Sequence, residues 1–224
     1  MLKQLRKMVC AASKRFSHFG LKASTWGNVS GIERERGLVV IKPSDVSNKE
    51  LTPDDMIIVD LDGQIVEGVG ELPCDIATHL RLYEAFSYIG GITNTRSTWA
   101  TISAQAGLSI PAYSTAHIEM FKGDIPCTRT ILDQEIYAGY ELSVGNVIVE
   151  TFANLDYMAI PGVLVKNHTP FAWGESPLQA VQNVAMLENL AKMAYRTYVI
   201  SKLQGVDVGP VSKALVDVKS QQRL

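Results

Sequence analysis

The chain has 224 residues, of which 46% are hydrophobic and 20% charged, so it is long enough to bury a sizeable core. Its 21 basic and 23 acidic residues nearly cancel, and the formal net charge of -2 without like-charged runs argues against a nucleic-acid or membrane-surface protein. Three widely spaced cysteines, and an opening segment without the apolar run of a signal peptide, predict a cytoplasmic protein.

Helical and hairpin patterns alternate in the first third of the chain. Apolar residues from Leu2 to Phe19 recur at helical spacing, which predicts an amphipathic helix ended by Gly20. β-Branched and apolar residues then predict a hairpin of strands 25–32 and 37–41. A short helical turn is expected at 52–55, and the Asp62-Gly63 turn predicts a second hairpin of strands 56–60 and 64–67.

The rest of the chain continues this alternation. A helix is predicted over 75–86, a strand over 91–95, a helix over 97–105, and buried strands over 146–152 and 162–165. Ser176-Pro177 begins a long helix that reaches about Leu203, and its broad apolar stripe suits either the core or another subunit. These patterns predict an α/β fold: one domain over 1–224, a sandwich with a mainly antiparallel central sheet flanked by helices.

Seven unusual segments occur in a single order along the chain. They are TWGNVS at 25–30, RERG at 34–37, VIKPS at 40–44, DDM at 54–56, IPCTR at 125–129, GNVIVET at 145–151 and HTPFAWG at 168–174. Over roughly residues 1–200, this series resembles the class II sugar-phosphate aldolase/epimerase family, in particular its L-ribulose-5-phosphate 4-epimerases. The resemblance implies the class II aldolase fold and leaves the tail, about 204–224, as a segment that departs from the family.

The first segments predict one end of a ligand site. A glycine beside an amide side chain lets a ligand approach the backbone, while Lys42 and Ser44 suit a phosphate, although an ordinary turn with a solvated lysine would look similar. The resemblance implies that Gly27, Asn28 and Ser44 contact substrate and that Lys42 lies near its phosphate. The implied ligand is a sugar phosphate such as a pentulose 5-phosphate.

A second phosphate-binding element has changed relative to the family. Its Ser-Ser-Asp sequence at a helix start corresponds to Pro73-Cys74-Asp75. Cys74 therefore stands at a substrate-binding position, but Pro73 has no amide hydrogen and neither residue replaces a serine hydroxyl well. We expect reduced phosphate affinity. Asp75 matches a metal-ligating carboxylate, although a helix N-cap would also explain an aspartate there.

The metal-binding positions have changed as well. The resemblance implies zinc or another divalent ion on a His-Thr-His strand, and the matching residues are Asn94-Thr95-Arg96, while the third ligand matches His168. Asn94 offers only an amide oxygen, and Arg96 is a permanent cation without a lone pair. Metal binding is expected to be weak or absent. As an alternative use of the site, Arg96 would pair with Asp75 in the place of the ion.

The acid/base residues complete the comparison. The family's catalytic aspartate corresponds to Glu119, a carboxylate on a longer arm, and the family's C-terminal tyrosine has no counterpart in the tail. One hypothesis is a catalytically impaired protein or pseudoenzyme that still forms the homotetramer implied by the family. The others are an active epimerase or aldolase with a rebuilt divalent-metal site, and a regulatory subunit of an active relative.

Overall fold

The computed structural model describes residues 1–19, 21 and 27–221. The predicted end of the first helix at Gly20 and the first part of strand 25–32 lie outside the described residues. The helices are α1 (Lys3–Arg15), α2 (Ile76–Ala85), α3 (Thr98–Ala106), α4 (Thr115–Met120), α5 (Asp133–Thr151), α6 (Pro177–Gln204) and α7 (Lys213–Gln221). Short 3-10 helices span Phe16–Phe19 and Pro53–Asp55.

Within the described residues, seven antiparallel strands form the central sheet, which confirms the predicted α/β class. The strands are β1 (Asn28–Glu33), β2 (Leu38–Ile41), β3 (Ile57–Asp60), β4 (Ile65–Glu67), β5 (Gly91–Asn94), β6 (Gly162–Leu164) and β7 (Pro170–Gly174). Their order across the sheet is β4-β3-β2-β1-β5-β7-β6. Both predicted hairpins are present, and β7 is a central, fully buried strand that the sequence did not predict.

Local side-chain bonds explain the turns between these strands. The Asp55 carboxylate accepts hydrogen bonds from the Thr52 backbone N–H at 2.6 Å and from its hydroxyl at 2.7 Å, closing the predicted helical turn. Asp60 Oδ1 accepts from the N–H groups of Asp62 and Gln64, which fixes the second hairpin. Gly63 adopts φ 82°, a conformation that a side chain would strain.

Both faces of the sheet are covered by helices. Val39 and Val40, adjacent in β2, belong to two different apolar clusters because successive strand residues point to opposite faces. One cluster includes α2 and α5, and the other includes α1 and α6. Within the part of the chain that the structure describes, every helix is too short or too polar to cross a membrane.

The predicted strand at 146–152 is wrong, because this segment is the second half of α5. Its β-branched residues suggest a strand, but Val144, Val147 and Ile148 are the buried positions, at helical spacing, while Asn146 and Glu150 are exposed. This face of α5 packs closely on α2: a Cβ added at Gly145 would lie 2.8 Å from Cβ of Arg81. Packing between the two helices therefore overrides the local strand preference.

The long helix α6 begins at the predicted Ser176 cap, whose hydroxyl accepts from Gln179 N. Most of its apolar stripe is buried within this chain, including Val181, Val184, Leu187 and Leu190. Large apolar residues are exposed instead toward its C-terminal end, namely Met193, Tyr195, Tyr198, Ile200 and Leu203. The stripe therefore serves the chain's own core, whereas the C-terminal part of α6 leaves apolar surface uncovered.

Candidate functional site

A cavity of about 340 Å³ opens at one edge of the sheet, beside the start of α2. Because the strands are antiparallel, the start of β1, the ends of β2 and β5, and the residues that precede β7 meet at this edge. The lining residues are Gly27, Asn28, Lys42, Pro43, Ser44, Asp45, Glu71, Pro73, Cys74, Asp75, Asn94, Arg96, His168 and Thr169.

The structure brings nearly all of the predicted site residues together around this cavity. Each predicted substrate position lines it, from Gly27 and Asn28 through Lys42 and Ser44 to Cys74. The four positions related to the metal, Asp75, Asn94, Arg96 and His168, line it as well. Glu119 does not.

Asp75 directs its carboxylate toward the sheet. It precedes α2 at the cap position, yet among the described residues its side chain makes no capping bond to that helix. Asp75 Oδ2 accepts a hydrogen bond from Asn28 Nδ2 at 3.1 Å, and Oδ1 lies 4.0 Å from His168 Nε2. The alternative that this aspartate is present as a helix cap therefore loses its support, and the carboxylate is available to the cavity.

A chain of polar contacts orients His168. Asn94 Nδ2 donates to the Thr169 hydroxyl at 3.0 Å, and that hydroxyl lies 3.0 Å from His168 Nδ1. If the hydroxyl donates to Nδ1, neutral His168 carries its proton on Nε2, toward Asp75; if Nδ1 donates, the Nε2 lone pair faces Asp75. The negative charge of Asp75 favours the proton on Nε2. The imidazole also stacks on Phe171, with ring centroids 5.9 Å apart.

Burial shifts both members of the Asp75–His168 pair toward their neutral forms. It raises the pKa of Asp75, against the opposing effects of His168 and of the Asn28 hydrogen bond. It lowers the pKa of His168, against the attraction of Asp75. The Arg96 charge also lowers the pKa of Asp75, with a smaller effect than His168 or the Asn28 hydrogen bond.

Two groups could hold a cation at this edge of the cavity: an oxygen of Asp75 and, in the tautomer with its proton on Nδ1, Nε2 of His168. Asn94 can add at most its amide oxygen, because its amide nitrogen donates to Thr169. Arg96 contributes a positive charge from an exposed position on the cavity wall. These residues do not fit a zinc ion held by three imidazoles, because among the described residues that line the cavity His168 supplies the one imidazole, and the resemblance implies that Arg96 takes the position of another.

The opposite end of the cavity contains Lys42 and Ser44. Lys42 is 1% exposed, its Nζ donates to the Pro43 carbonyl at 2.8 Å, and burial lowers its pKa. The Ser44 N–H donates to the Glu71 carbonyl at 2.9 Å. The Ser44 hydroxyl donates to the same carbonyl at 3.3 Å and lies 3.5 Å from Glu71 Oε2.

Two residues of α5 near the cavity were not found from the sequence. The Tyr140 ring lies 6.0 Å from the His168 ring, centroid to centroid, and Glu141 acts electrostatically on both Asp75 and His168. Burial, followed by the charges of Asp75 and Glu141, raises the pKa of Tyr140. Gly139, at φ 147° and ψ 100°, interrupts the helix immediately before them. A glycine inside a helical run was the available signal.

Beneath the cavity, a buried polar cluster joins α2 to β1. The Ser30 hydroxyl lies 2.7 Å from His79 Nδ1 and 2.8 Å from the Tyr83 hydroxyl. His79 is fully buried, and this burial lowers its pKa to about 3. The cluster links α2, which follows Asp75, to β1, which begins with Asn28. It therefore helps to keep Asn28 and Asp75 within hydrogen-bonding distance.

Glu119 lies on α4, beside a second cavity of about 280 Å³. Its carboxylate is 3.5 Å from Lys219 Nζ of α7. Within one chain, therefore, this carboxylate is separate from the residues that line the first cavity.

Comparisons with known proteins support the family resemblance that the sequence segments indicate. The family model for the class II aldolase and adducin N-terminal domain matches residues 7–195. L-ribulose-5-phosphate 4-epimerase UlaF of Salmonella paratyphi C (strain RKS4594) is 47% identical over 194 residues, 87% of this chain and 85% of that protein. The same values hold for UlaF of Salmonella choleraesuis (strain SC-B67). A solved L-fuculose 1-phosphate aldolase has a TM-score of 0.79 at 22% identity, covering 98% of this chain and 96% of that one.

Proposed function

Because the chain belongs to the class II aldolase and adducin N-terminal domain family, we propose that it is an L-ribulose-5-phosphate 4-epimerase-like protein whose altered metal site impairs catalysis. The names of the relatives point to L-ribulose 5-phosphate, a pentulose 5-phosphate, as the starting point for the ligand, and the pentulose part of such a ligand is proposed to occupy this cavity. Asn28, Asp75 and His168 are the residues proposed to contact it near the reacting carbons.

One observation carries this proposal: Asn94 and Arg96 line the cavity, at the two positions where the resemblance implies imidazoles. A divalent ion would supply a Lewis acid that polarises a carbonyl group. The residues present hold such an ion poorly, since a fixed guanidinium charge repels it and Asp75 with His168 are its only strong donors. What remains is a cavity that can bind and orient a polyol.

The test is metal content followed by epimerase activity. Protein purified without chelators and then dialysed is expected to retain far less than one zinc or manganese per chain. The variant Asn94→His with Arg96→His is expected to gain metal before it gains turnover. The matched control is Val206→His with Val208→His, which places two imidazoles at the same spacing on an exposed segment. Stoichiometric metal in the unmodified protein would contradict the proposal. So would a metal content of the Asn94→His, Arg96→His variant that is no higher than that of the control variant.

The second candidate function is that of an active epimerase or aldolase with a rebuilt divalent-metal site. The position of Glu119 determines what such an enzyme would require. Since Glu119 lies beside a different cavity, its carboxylate could act on a ligand at the first cavity only from a neighbouring copy. We therefore propose that any catalysis requires assembly, as a homotetramer or within a tetramer of an active relative. Measurable turnover in the unmodified protein would favour this candidate.

Assembly is supported by the exposed apolar residues at the C-terminal part of α6. Tyr198, Ile200 and Leu203 are each more than half exposed, at 53%, 61% and 78%. Burial of such side chains between subunits is favourable, so we expect a homo-oligomer in solution. Light scattering at micromolar concentration measures it directly. A stable mass near the 24.5 kDa of one chain would contradict the oligomer.

A further inference from the structure

The end of the cavity that the resemblance assigns to a phosphate has several of its hydrogen-bond donors already paired within the chain. Lys42 Nζ donates to the Pro43 carbonyl, and both the N–H and the hydroxyl of Ser44 donate to the Glu71 carbonyl. A bound phosphate needs several donors aimed at its oxygens. Here the N–H and the hydroxyl of Ser44 would first have to leave the Glu71 carbonyl, and the Pro43 carbonyl takes one of the three N–H donors of Lys42.

The start of α2 supplies little in their place. Pro73 has no N–H, and the Ile76 N–H donates to the Pro73 carbonyl at 3.1 Å. Burial and the Asp75 charge raise the pKa of the Cys74 thiol, while the backbone N–H groups of Cys74 and Asp75 interact with its sulfur and oppose that rise. The amides that could face an anion at this helix end therefore face a side chain of the protein.

Carboxylates also surround this end of the cavity. Asp45 and Glu71 line it next to Lys42 and Ser44, and both are exposed at its mouth. With Asp75, three carboxylates face the cavity, against the cations Lys42 and Arg96. A phosphate monoester brings nearly two further negative charges at neutral pH, and like charges in one site repel.

The same cavity suits an uncharged polyol. Asn28 lines the cavity and is 7% exposed, and its buried Oδ1 has no hydrogen-bond partner among the described residues, which leaves one polar acceptor at the cavity wall to be satisfied. Carboxylate oxygens of Asp45 and Glu71 are strong acceptors for further hydroxyls. The volume of about 340 Å³ lies at the small end of the range for ligand pockets.

We infer that this cavity selects an unphosphorylated sugar of pentulose size and rejects a phosphate dianion, with Asp45 and Glu71 as the residues that determine this selectivity. The inference rests on the proposed function for the location of the sugar site. The inferred ligand differs from the substrate in the relatives' names only at its phosphate end.

Calorimetric titration of the full chain with L-ribulose and with L-ribulose 5-phosphate, in a buffer of low ionic strength, tests the inference. The unmodified protein is expected to bind the free sugar at least about tenfold more tightly, a ratio set mainly by charge repulsion. The variant Asp45→Asn with Glu71→Gln keeps the side-chain shapes and removes two charges. The ratio of the two affinities is expected to shift about tenfold toward the phosphate in this variant.

The control variant, Asp62→Asn with Glu84→Gln, removes the same charge from exposed positions that do not line the cavity. Its affinity ratio is expected to match that of the unmodified protein. A preference of the unmodified protein for the phosphate, or an equal shift in both variants, would overturn the inference while leaving the proposed sugar site standing. Binding of neither compound by the unmodified protein would overturn the inference together with the proposed function.

Discussion

The buried imidazole of His79 is expected to make the stability of this protein sensitive to acid. His79 contacts the Ser30 hydroxyl through Nδ1, and its Nε2 has no partner among the described residues. A proton added to the ring would place a charge in a fully buried position. The folded state therefore holds the ring neutral, with its pKa lowered to about 3, whereas the unfolded chain takes up the proton near pH 6.5.

The size of the effect follows from the difference between those two pKa values. Because the folded pKa is the lower one, the contribution of His79 to stability is fully present above pH 6.5 and is lost as the pH falls toward about 3. Each pH unit in that window costs about 1.4 kcal/mol. Between pH 7 and pH 5 the loss assigned to His79 is about 2 kcal/mol.

Urea unfolding at pH 7, 6 and 5 measures this loss directly. His79→Asn removes the titrating ring and keeps a polar atom near Ser30; it is expected to be less stable at pH 7 but to lose about 2 kcal/mol less between pH 7 and 5. His117 and His168, whose pKa values burial also lowers, titrate in both proteins and cancel in the comparison. His18→Asn removes an exposed imidazole as a control. Equal losses in the unmodified protein and His79→Asn would refute the reasoning.

Two further substitutions test the packing that supports the cavity. Arg6→Ala should cost about 3 kcal/mol of unfolding free energy, since this buried guanidinium bonds three carbonyls and one carboxylate, whereas the exposed Arg36→Ala should cost less than about 0.5 kcal/mol. Similar losses in the two variants by chemical denaturation would contradict this. Gly91→Ala would bring a Cβ within 2.4 Å of Pro177 N and should cost about 3 kcal/mol, whereas Gly209→Ala, with nothing within 4 Å, should change the melting temperature little. An unchanged melting temperature for Gly91→Ala would show that the β5–α6 contact relaxes easily.

Much of the fold could be predicted from local signals. The Asp62-Gly63 turn, the Ser176 cap and Gly107 after α3 each act within a few residues, so their sequence patterns identify the elements that they bound. The helical structure of segment 146–152 could not be predicted from such local signals. Its β-branched composition favours a strand, and only its contact with α2, which is distant in sequence, makes it helical.

Some residues of the cavity could be predicted from the sequence, namely those whose side-chain type itself indicates a chemical role. Asp75 and His168 were identified without the fold, because a carboxylate and an imidazole at these positions match a known arrangement. Tyr140 and Glu141 were not, since they lie near the cavity directly after the interruption of α5 at Gly139, whose geometry the sequence does not show. The acceptors that occupy Lys42 and Ser44 are backbone carbonyls, and a sequence does not show where these point.

The order of the strands also decides when the cavity can form during folding. Strands β1 to β4 pair with their neighbours in sequence, and β5 then adds to β1, so the first half of the sheet can assemble from contacts that are close along the chain. His168 and Thr169 directly precede β7, which pairs with β5 across a long intervening segment. Pairing two strands across so long a segment costs more chain entropy than forming a hairpin, and such non-local pairing is slower. During synthesis, Asp75 and Asn28 therefore leave the ribosome well before the imidazole that faces them, and the cavity wall is completed only when β7 docks.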